Sequence, residues 1–289
     1  MYIRDGISKV SLLIFSVAIL FFLPLPTKGQ ILTEVTPYGS RATALGSAYV
    51  TLNDFWSSLN NPANIASQTN RYTAGVYYEN SYLIKELNLS SIGVTYASKH
   101  LNAGFFLSRY GITSYNQGNA ALIVGKSVWK NISIGVKICY NYIQVADGYG
   151  SVAAFTGEVG INAQLSNRIT IGVHVKNPTH EKIGKEVKET LPSALVFGIS
   201  YLSPFGLTLF SDIDKPFEQN ISFHSGIEWN IYKGFCARAG FRSSPNMLSF
   251  GIGYTANRLT FDLSVSKHQT LGYSPQTSTI IWFTRKANK

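Results

Sequence analysis

From Tyr72 onward the chain repeats one pattern, roughly eight to eleven residues that alternate apolar and polar, followed by a turn. Ile92, Val94 and Tyr96 alternate with Ser91, Gly93 and Thr95. Ile169, Ile171, Val173 and Val175 alternate with Thr170, Gly172, His174 and Lys176, and Leu259, Phe261, Leu263 and Val265 alternate with Thr260, Asp262, Ser264 and Ser266. A period of two puts all the apolar residues of a strand on one face. A soluble sheet would turn a polar face rich in Lys and Glu to water; here that face is mostly Ser, Thr, Gly and Asn. Only 14% of the 289 residues are charged, against a usual fraction of roughly 25%. After the first 30 residues no uncharged apolar run reaches the roughly 18 needed for a spanning helix. The aromatic and β-branched content is too high for disorder. The pattern therefore predicts an all-β protein, a transmembrane antiparallel β-barrel whose apolar faces meet lipid and whose polar faces line a lumen.

Counting segments gives fourteen strands, near 72–78, 88–96, 101–109, 119–128, 132–142, 151–165, 168–176, 193–202, 206–214, 221–230, 234–241, 247–255, 259–266 and 278–285. Every even-numbered connection reads as short: 97–100, 129–131, 166–167, 203–205, 231–233 and 256–258. The odd ones read as longer or richer in turn residues, as at 79–87, 110–118, 177–192 and 267–277. Outer-membrane barrels have this asymmetry, with short periplasmic turns and longer external loops.

The N-terminus predicts export. Arg4 and Lys9 precede an apolar stretch from Val10 to Pro26, and small and polar residues follow, as in a cleaved signal peptide over 1–29. Pro24 and Pro26 interrupt the stretch before it becomes a comfortable membrane anchor. Its removal takes away Arg4, Lys9, Lys28 and Asp5 and leaves 22 basic and 14 acidic side chains, a net charge of +8. For an exported barrel the partner of that charge is the anionic lipid surface of the outer membrane and not nucleic acid.

Residues 30–71 do not alternate. Gly39 to Ala48 reads as a short helix of small residues. Asp54 is placed to cap a second helical turn holding Phe55, Trp56 and Leu59, which must end before Pro62. A fourteen-stranded lumen has room for such a segment, so 30–71 is expected to be a hatch inside the barrel formed by 72–289. The segments Arg41 to Val50 (RATALGSAYV), Asn53-Asp54 and Asn60 to Ala63 (NNPA) resemble the N-terminal signature of the FadL-like outer-membrane barrels. Within that superfamily they are most similar to the PorV/PorQ group associated with type IX secretion. Phe261 to His268 (FDLSVSKH) and Leu271 to Pro275 (LGYSP) are similar to that group's closing hairpin. Ser47, Asn64 and Pro275 depart from the pattern. The resemblance implies Arg41, Leu45, Gly46, Asn61, Pro62 and Ala63 as the hatch motif. It also implies one of two roles: an accessory or scaffold barrel that works with other outer-membrane secretion or assembly proteins, or a hatch-gated channel for a small hydrophobic ligand.

No catalytic signature is present: no G-x-S-x-G, no H-E-x-x-H and no P-loop. No enzyme activity, cofactor or metal is expected. His174 and His224 fall on the lumen face in distant strands and read as members of polar networks. Gly251-Ile-Gly253 reads as a place where lumen groups approach the wall. Cys139 and Cys236 lie on strands too far apart for a disulfide, whose Cα atoms must lie within about 7 Å. Lys137, Glu158, Asp212, Glu228, Arg238 and Asp262 occupy alternate positions that point inward, since a charge facing the lipid midplane costs about 2–4 kcal/mol. They read as a salt-bridged network that fixes the hatch, with a selectivity lining as the other reading. Tyr72, Tyr77, Tyr78, Tyr96, Tyr110, Tyr140, Tyr142, Tyr201, Trp229, Tyr254 and Trp282 read as interfacial girdles.

Overall fold

In lipid every backbone N–H and C=O must find a partner within the protein, and a sheet that closes on itself has no unpaired edge. The computed structural model, which describes residues 36–146, 150–184 and 188–283, meets that requirement with fourteen antiparallel strands in one closed barrel. They are β1 (Tyr72–Asn80), β2 (Asn88–Tyr96), β3 (Asn102–Gly111), β4 (Tyr115–Trp129), β5 (Ile132–Val145), β6 (Gly150–Gln164), β7 (Ile169–Lys176), β8 (Ala194–Leu202), β9 (Leu207–Pro216), β10 (Ser222–Tyr232), β11 (Phe235–Ser243), β12 (Asn246–Ala256), β13 (Leu259–His268) and β14 (Gly272–Trp282). Each strand pairs with its neighbours in sequence, and β1 closes on β14 through pairs such as Gly75 with Ile280. Among the described residues no helix is long and apolar enough to cross a membrane.

The two faces divide as the alternation requires. Val76, Ile138, Phe250 and Ile252 stand outside with more than half of their surface exposed, and the neighbouring inward positions are buried or half-buried. The buried core is the lumen. Residues 36–66 lie inside it and 67–71 lead out to the rim, with a helix α1 (Ser40–Ala44), a single turn α2 (Ser57–Asn60) and a 3-10 segment Pro62–Ser67. Asp54 Oδ1 accepts from the Ser57 N–H at 2.7 Å and so starts α2. Pro62 supplies no N–H and stands at the head of the next segment, where none is needed. The leader expected over 1–29, and hatch residues 30–35, lie outside the described residues.

The strand starts differ most from expectation in two places. β14 begins at Gly272, six residues before the expected 278, which reduces the connection from β13 to Gln269–Leu271. Pro275 had marked a loop. It is tolerated in the strand because β14 pairs with β1 only from Gln276 onward, so on that side Pro275 faces no ladder partner. β4 likewise begins at Tyr115 and leaves only residues 112–114 before it. The contrast in loop length therefore rests mainly on 81–87 and on 177–193, where Lys182–Ile183 and Glu189–Thr190 form a separate small hairpin. The girdle reading also fails at Tyr77, which is 3% exposed and inside the lumen. Adjacent Tyr77 and Tyr78 cannot both face out of one strand. Tyr110 and Trp282 also pack inward against the lumen aromatics.

Candidate functional site

The candidate functional feature is the contact between hatch and wall, and glycine makes that contact possible. On ten of the fourteen strands an inward glycine lies against the hatch: Gly75, Gly104, Gly125, Gly135, Gly160, Gly172, Gly198, Gly226, Gly240 and Gly251. The hatch follows the wall around the barrel, with Ala44 at β12, Leu45 and Gly46 at β11 and β10, and Val50 at β8 and β7. It continues with Asn61 and Pro62 at β6 and β5, and Ile65 at β4 and β3. At Gly135 a Cβ would stand 2.1 Å from the Pro62 carbonyl oxygen, and at Gly240 it would stand 2.0 Å from the Gly46 nitrogen. Backbone packs on backbone at both places, leaving no room for a larger residue.

The residues expected to form the hatch motif lie at these contacts. Gly46 has φ +67°, and a Cβ there would meet the Phe241 backbone at 2.4 Å, so both conformation and space require glycine. Leu45 is fully buried in an apolar cluster with Val50, Val196 and Phe210. Asn61 donates to the Val50 carbonyl at 2.8 Å and accepts from the Ala63 N–H at 3.1 Å. It thereby ties two hatch turns together above Gly160. Pro62 and Ala63 lie against Gly135.

Arg41 is the hatch's charged anchor. Its guanidinium makes a two-point contact with Glu228 on β10, both bonds 2.8 Å, and reaches Asp54 at 3.2 Å. Burial opposes the charge on Arg41, but Glu228 and Asp54 outweigh it and hold the pKa above the ordinary arginine value. Glu228 also takes Arg238 at 2.6 Å, and Arg238 takes Asp262 at 2.6 Å. One continuous ion chain thus joins the hatch to β10, β11 and β13. Asp212 on β9 accepts the Tyr49 and Val50 N–H groups at 2.7 and 3.0 Å. Lys137 donates to the Leu59 carbonyl at 2.6 Å and pairs with Glu158 at 2.7 Å, and Glu158 in turn holds His174 at 2.7 Å. The six lumen charges thus lie inside, in two paired groups plus Asp212, and at each of the three a charged side chain bonds the hatch directly. His224 bonds the Ser47 carbonyl at 3.1 Å, on a different network from His174. Cys139 and Cys236 are free thiols. Among the described residues no three His, Cys, Asp or Glu side chains gather as a metal site.

The opposite side of the hatch is held differently. Phe55, Trp56, Tyr77 and Phe106 pack with ring centroids 5.1 to 6.1 Å apart, and Leu59, Ile65 and Ile280 surround them. Two of these rings press on glycine. A Cβ on Gly75 would meet Phe55 at 2.7 Å, and one on Gly93 would meet Phe106 at 2.2 Å. Gly75 and Gly93 are register partners on β1 and β2. Directly outside them the wall carries an apolar hollow of about 340 Å³, lined by Val76, Ile92, Val94, Phe105, Leu107 and Ile281 among others. Between the lumen aromatics and the outside, the wall here is one backbone thick.

No family model matches the chain, and no curated protein matches it. Solved structures do match the fold. The CymD monoaromatic hydrocarbon channel superposes with a TM-score of 0.67 at 12% identity over 86% of this chain and 98% of its own. The toluene transporter TodX of P. putida gives 0.65 at 11% identity, covering 87% of this chain and 100% of its own. A FadL homologue of Pseudomonas aeruginosa gives 0.57 at 10%, covering 85% and 97%. The chain has the fold of these FadL-type barrels over nearly their whole length. None of these matches falls in the PorV/PorQ group.

Sequence reading anticipated a close approach at Gly251 but missed the other nine glycines of the seat. Its signal was visible, since glycine recurs on the polar face of strand after strand, but that face reads equally well as a small-residue lining.

Proposed function

We propose that the chain is an outer-membrane channel for small apolar molecules, exported by its N-terminal leader and closed by its hatch. The observation that carries this reading is the aromatic cluster of Phe55, Trp56, Tyr77 and Phe106. It is separated from the apolar hollow outside only by the Gly75–Gly93 pair. An apolar solute that displaces the hatch aromatics would reach the lipid phase at this thin stretch without crossing water. The hydrocarbon channels that share the fold support the same class of cargo. In this reading Lys137, Glu158, Asp212, Glu228, Arg238 and Asp262 hold the hatch and do not select the solute. The short turns face the periplasm. The test is uptake of labelled toluene by cells expressing the full chain. Uptake should be faster than in cells without it and should fall back in Gly93→Leu, whose side chain fills the thin stretch; equal uptake with and without the chain overturns the reading.

A second reading, a scaffold for exported proteins as the PorV/PorQ resemblance implies, is favoured by the seating of the hatch on glycines of ten strands, which fixes it in place. It predicts a secretion or assembly component that copurifies in mild detergent. A barrel that always migrates alone counts against it.

A further inference from the structure

Alternate connections of a closed up-and-down barrel lie at opposite ends, so the six connections following the even-numbered strands share one rim. Five of these six turns carry a cation, namely Lys99, Lys130, Arg168, Lys233 and Arg258, and Arg71 stands at the same rim just before β1. None of the six turns contains Asp or Glu. The other rim is mixed, with Glu86, Glu181 and Glu218 among Lys85, Lys182 and Lys215. All six cations of the first rim are exposed, and among the described residues none is in an ion pair.

Exposed rings stand beside these cations. Trp129, 69% exposed, adjoins Lys130, and Tyr232, 70% exposed, adjoins Lys233. The Arg71 guanidinium lies 5.6 Å from the Tyr72 ring centre. Phe205, 84% exposed, occupies the one uncharged turn. Aromatic rings with long cationic side chains beside them suit the headgroup layer, where the ring enters the apolar boundary and the cation reaches phosphate. The cations are spread around the circumference, with a gap only at the turn between β8 and β9. An acidic protein partner would call for a patch in one sector. A belt suits the lipid that surrounds a barrel on all sides.

We infer that the short-turn rim binds anionic phospholipid headgroups, the phosphate diesters of net negative charge exemplified by phosphatidylglycerol. Placing them in the inner leaflet of the outer membrane rests on the orientation given under Proposed function. The full-length protein, in mixed micelles containing equal phosphatidylglycerol and phosphatidylcholine, is separated by gel filtration and its bound lipid is counted by mass spectrometry. Bound phosphatidylglycerol should exceed phosphatidylcholine on the order of ten-fold at about 0.1 M salt and approach parity at about 1 M. Replacing all six cations with Gln should bring the ratio to parity at both salt levels, and the pair Lys130→Gln with Lys233→Gln should lower it part-way. Lys85→Gln with Lys182→Gln and Lys215→Gln, on the other rim, should leave it unchanged. Heat-modifiable migration in gels checks that each variant is folded. Parity in the unaltered protein overturns the proposal, as does a preference that survives in the six-site variant. Tighter salt-sensitive capture of polyglutamate than of phosphatidylglycerol overturns it in favour of an acidic protein partner. Orientation is read separately, by labelling Lys233→Cys in whole cells with a membrane-impermeant maleimide. Labelling would move the belt to the outer leaflet and overturn the inner-leaflet assignment and the orientation under Proposed function, leaving the lipid count as it stands.

Discussion

The two sides of the hatch are held by different physics. Toward β10, β11 and β13 it is fixed by charge, through the chain Arg41–Glu228–Arg238–Asp262 and through backbone seated on Gly226 and Gly240. Toward β1, β2 and β14 it is held by aromatic contact with no ion pair among the described residues, helped by long hydrogen bonds from Thr36 to Glu79 and from the Ser40 N–H to Ser278, at 3.4 and 3.3 Å, against a thin wall with an apolar hollow outside. A buried ion pair resists displacement because removing one partner strands the other in a low-dielectric interior. Apolar contact is non-directional and can be replaced by any apolar molecule of suitable size. The hatch therefore has a charge-fixed side and an apolar side, and under the proposed function it is on the apolar side that a solute takes the place of its contacts.

The comparison breaks most sharply at Glu228. Glu228→Gln leaves Arg41 and Arg238 with one carboxylate fewer, and losing a buried partner costs about 3–5 kcal/mol. Hatch opening should rise on the order of a hundred-fold or more, read as faster proteolysis within residues 36–71 of the folded barrel. A smaller difference is expected between two added methyl groups. Gly240→Ala meets the Gly46 backbone and should cost about 1–3 kcal/mol as overpacking, while Gly75→Ala meets chiefly the edge of the Phe55 ring, a side chain that yields more readily than backbone. Thermal unfolding of the two variants should rank Gly240→Ala as the less stable, and the reverse order would mean that the aromatic side is the rigid one. The smallest effect belongs to Asp54→Asn. This partly exposed partner of Arg41 contributes about 0.2–1 kcal/mol as an ion pair, and Asn keeps the oxygen that accepts from Ser57. Proteolysis should be nearly unchanged.

The barrel was legible in the sequence because lipid and lumen impose opposite demands on successive residues, so strand number and facing follow from period two. The inward charges at Lys137, Glu158, Asp212, Glu228, Arg238 and Asp262 were readable for the same reason. What could not be read were features that depend on a neighbour distant in sequence. Pro275 looks like a loop residue until the end of its pairing with β1 is known. Gly135 and Gly240 look like small lumen residues until Pro62 and Gly46 are found pressed on them. The contact between Arg41 and Glu228 spans 187 positions, and no local pattern announces it. Tyr77 was assigned to a girdle by residue type, although its alternation with Tyr78 already required one of the two to face inward.

Closure of the lumen by the hatch is tested most directly by ion conductance in a planar bilayer, which does not depend on what the cargo is. The full-length protein should be nearly silent, and a variant lacking residues 36–66, shown to be folded by heat-modifiable migration, should conduct as an open fourteen-stranded pore. Equal conductance before and after the deletion would contradict a sealing hatch.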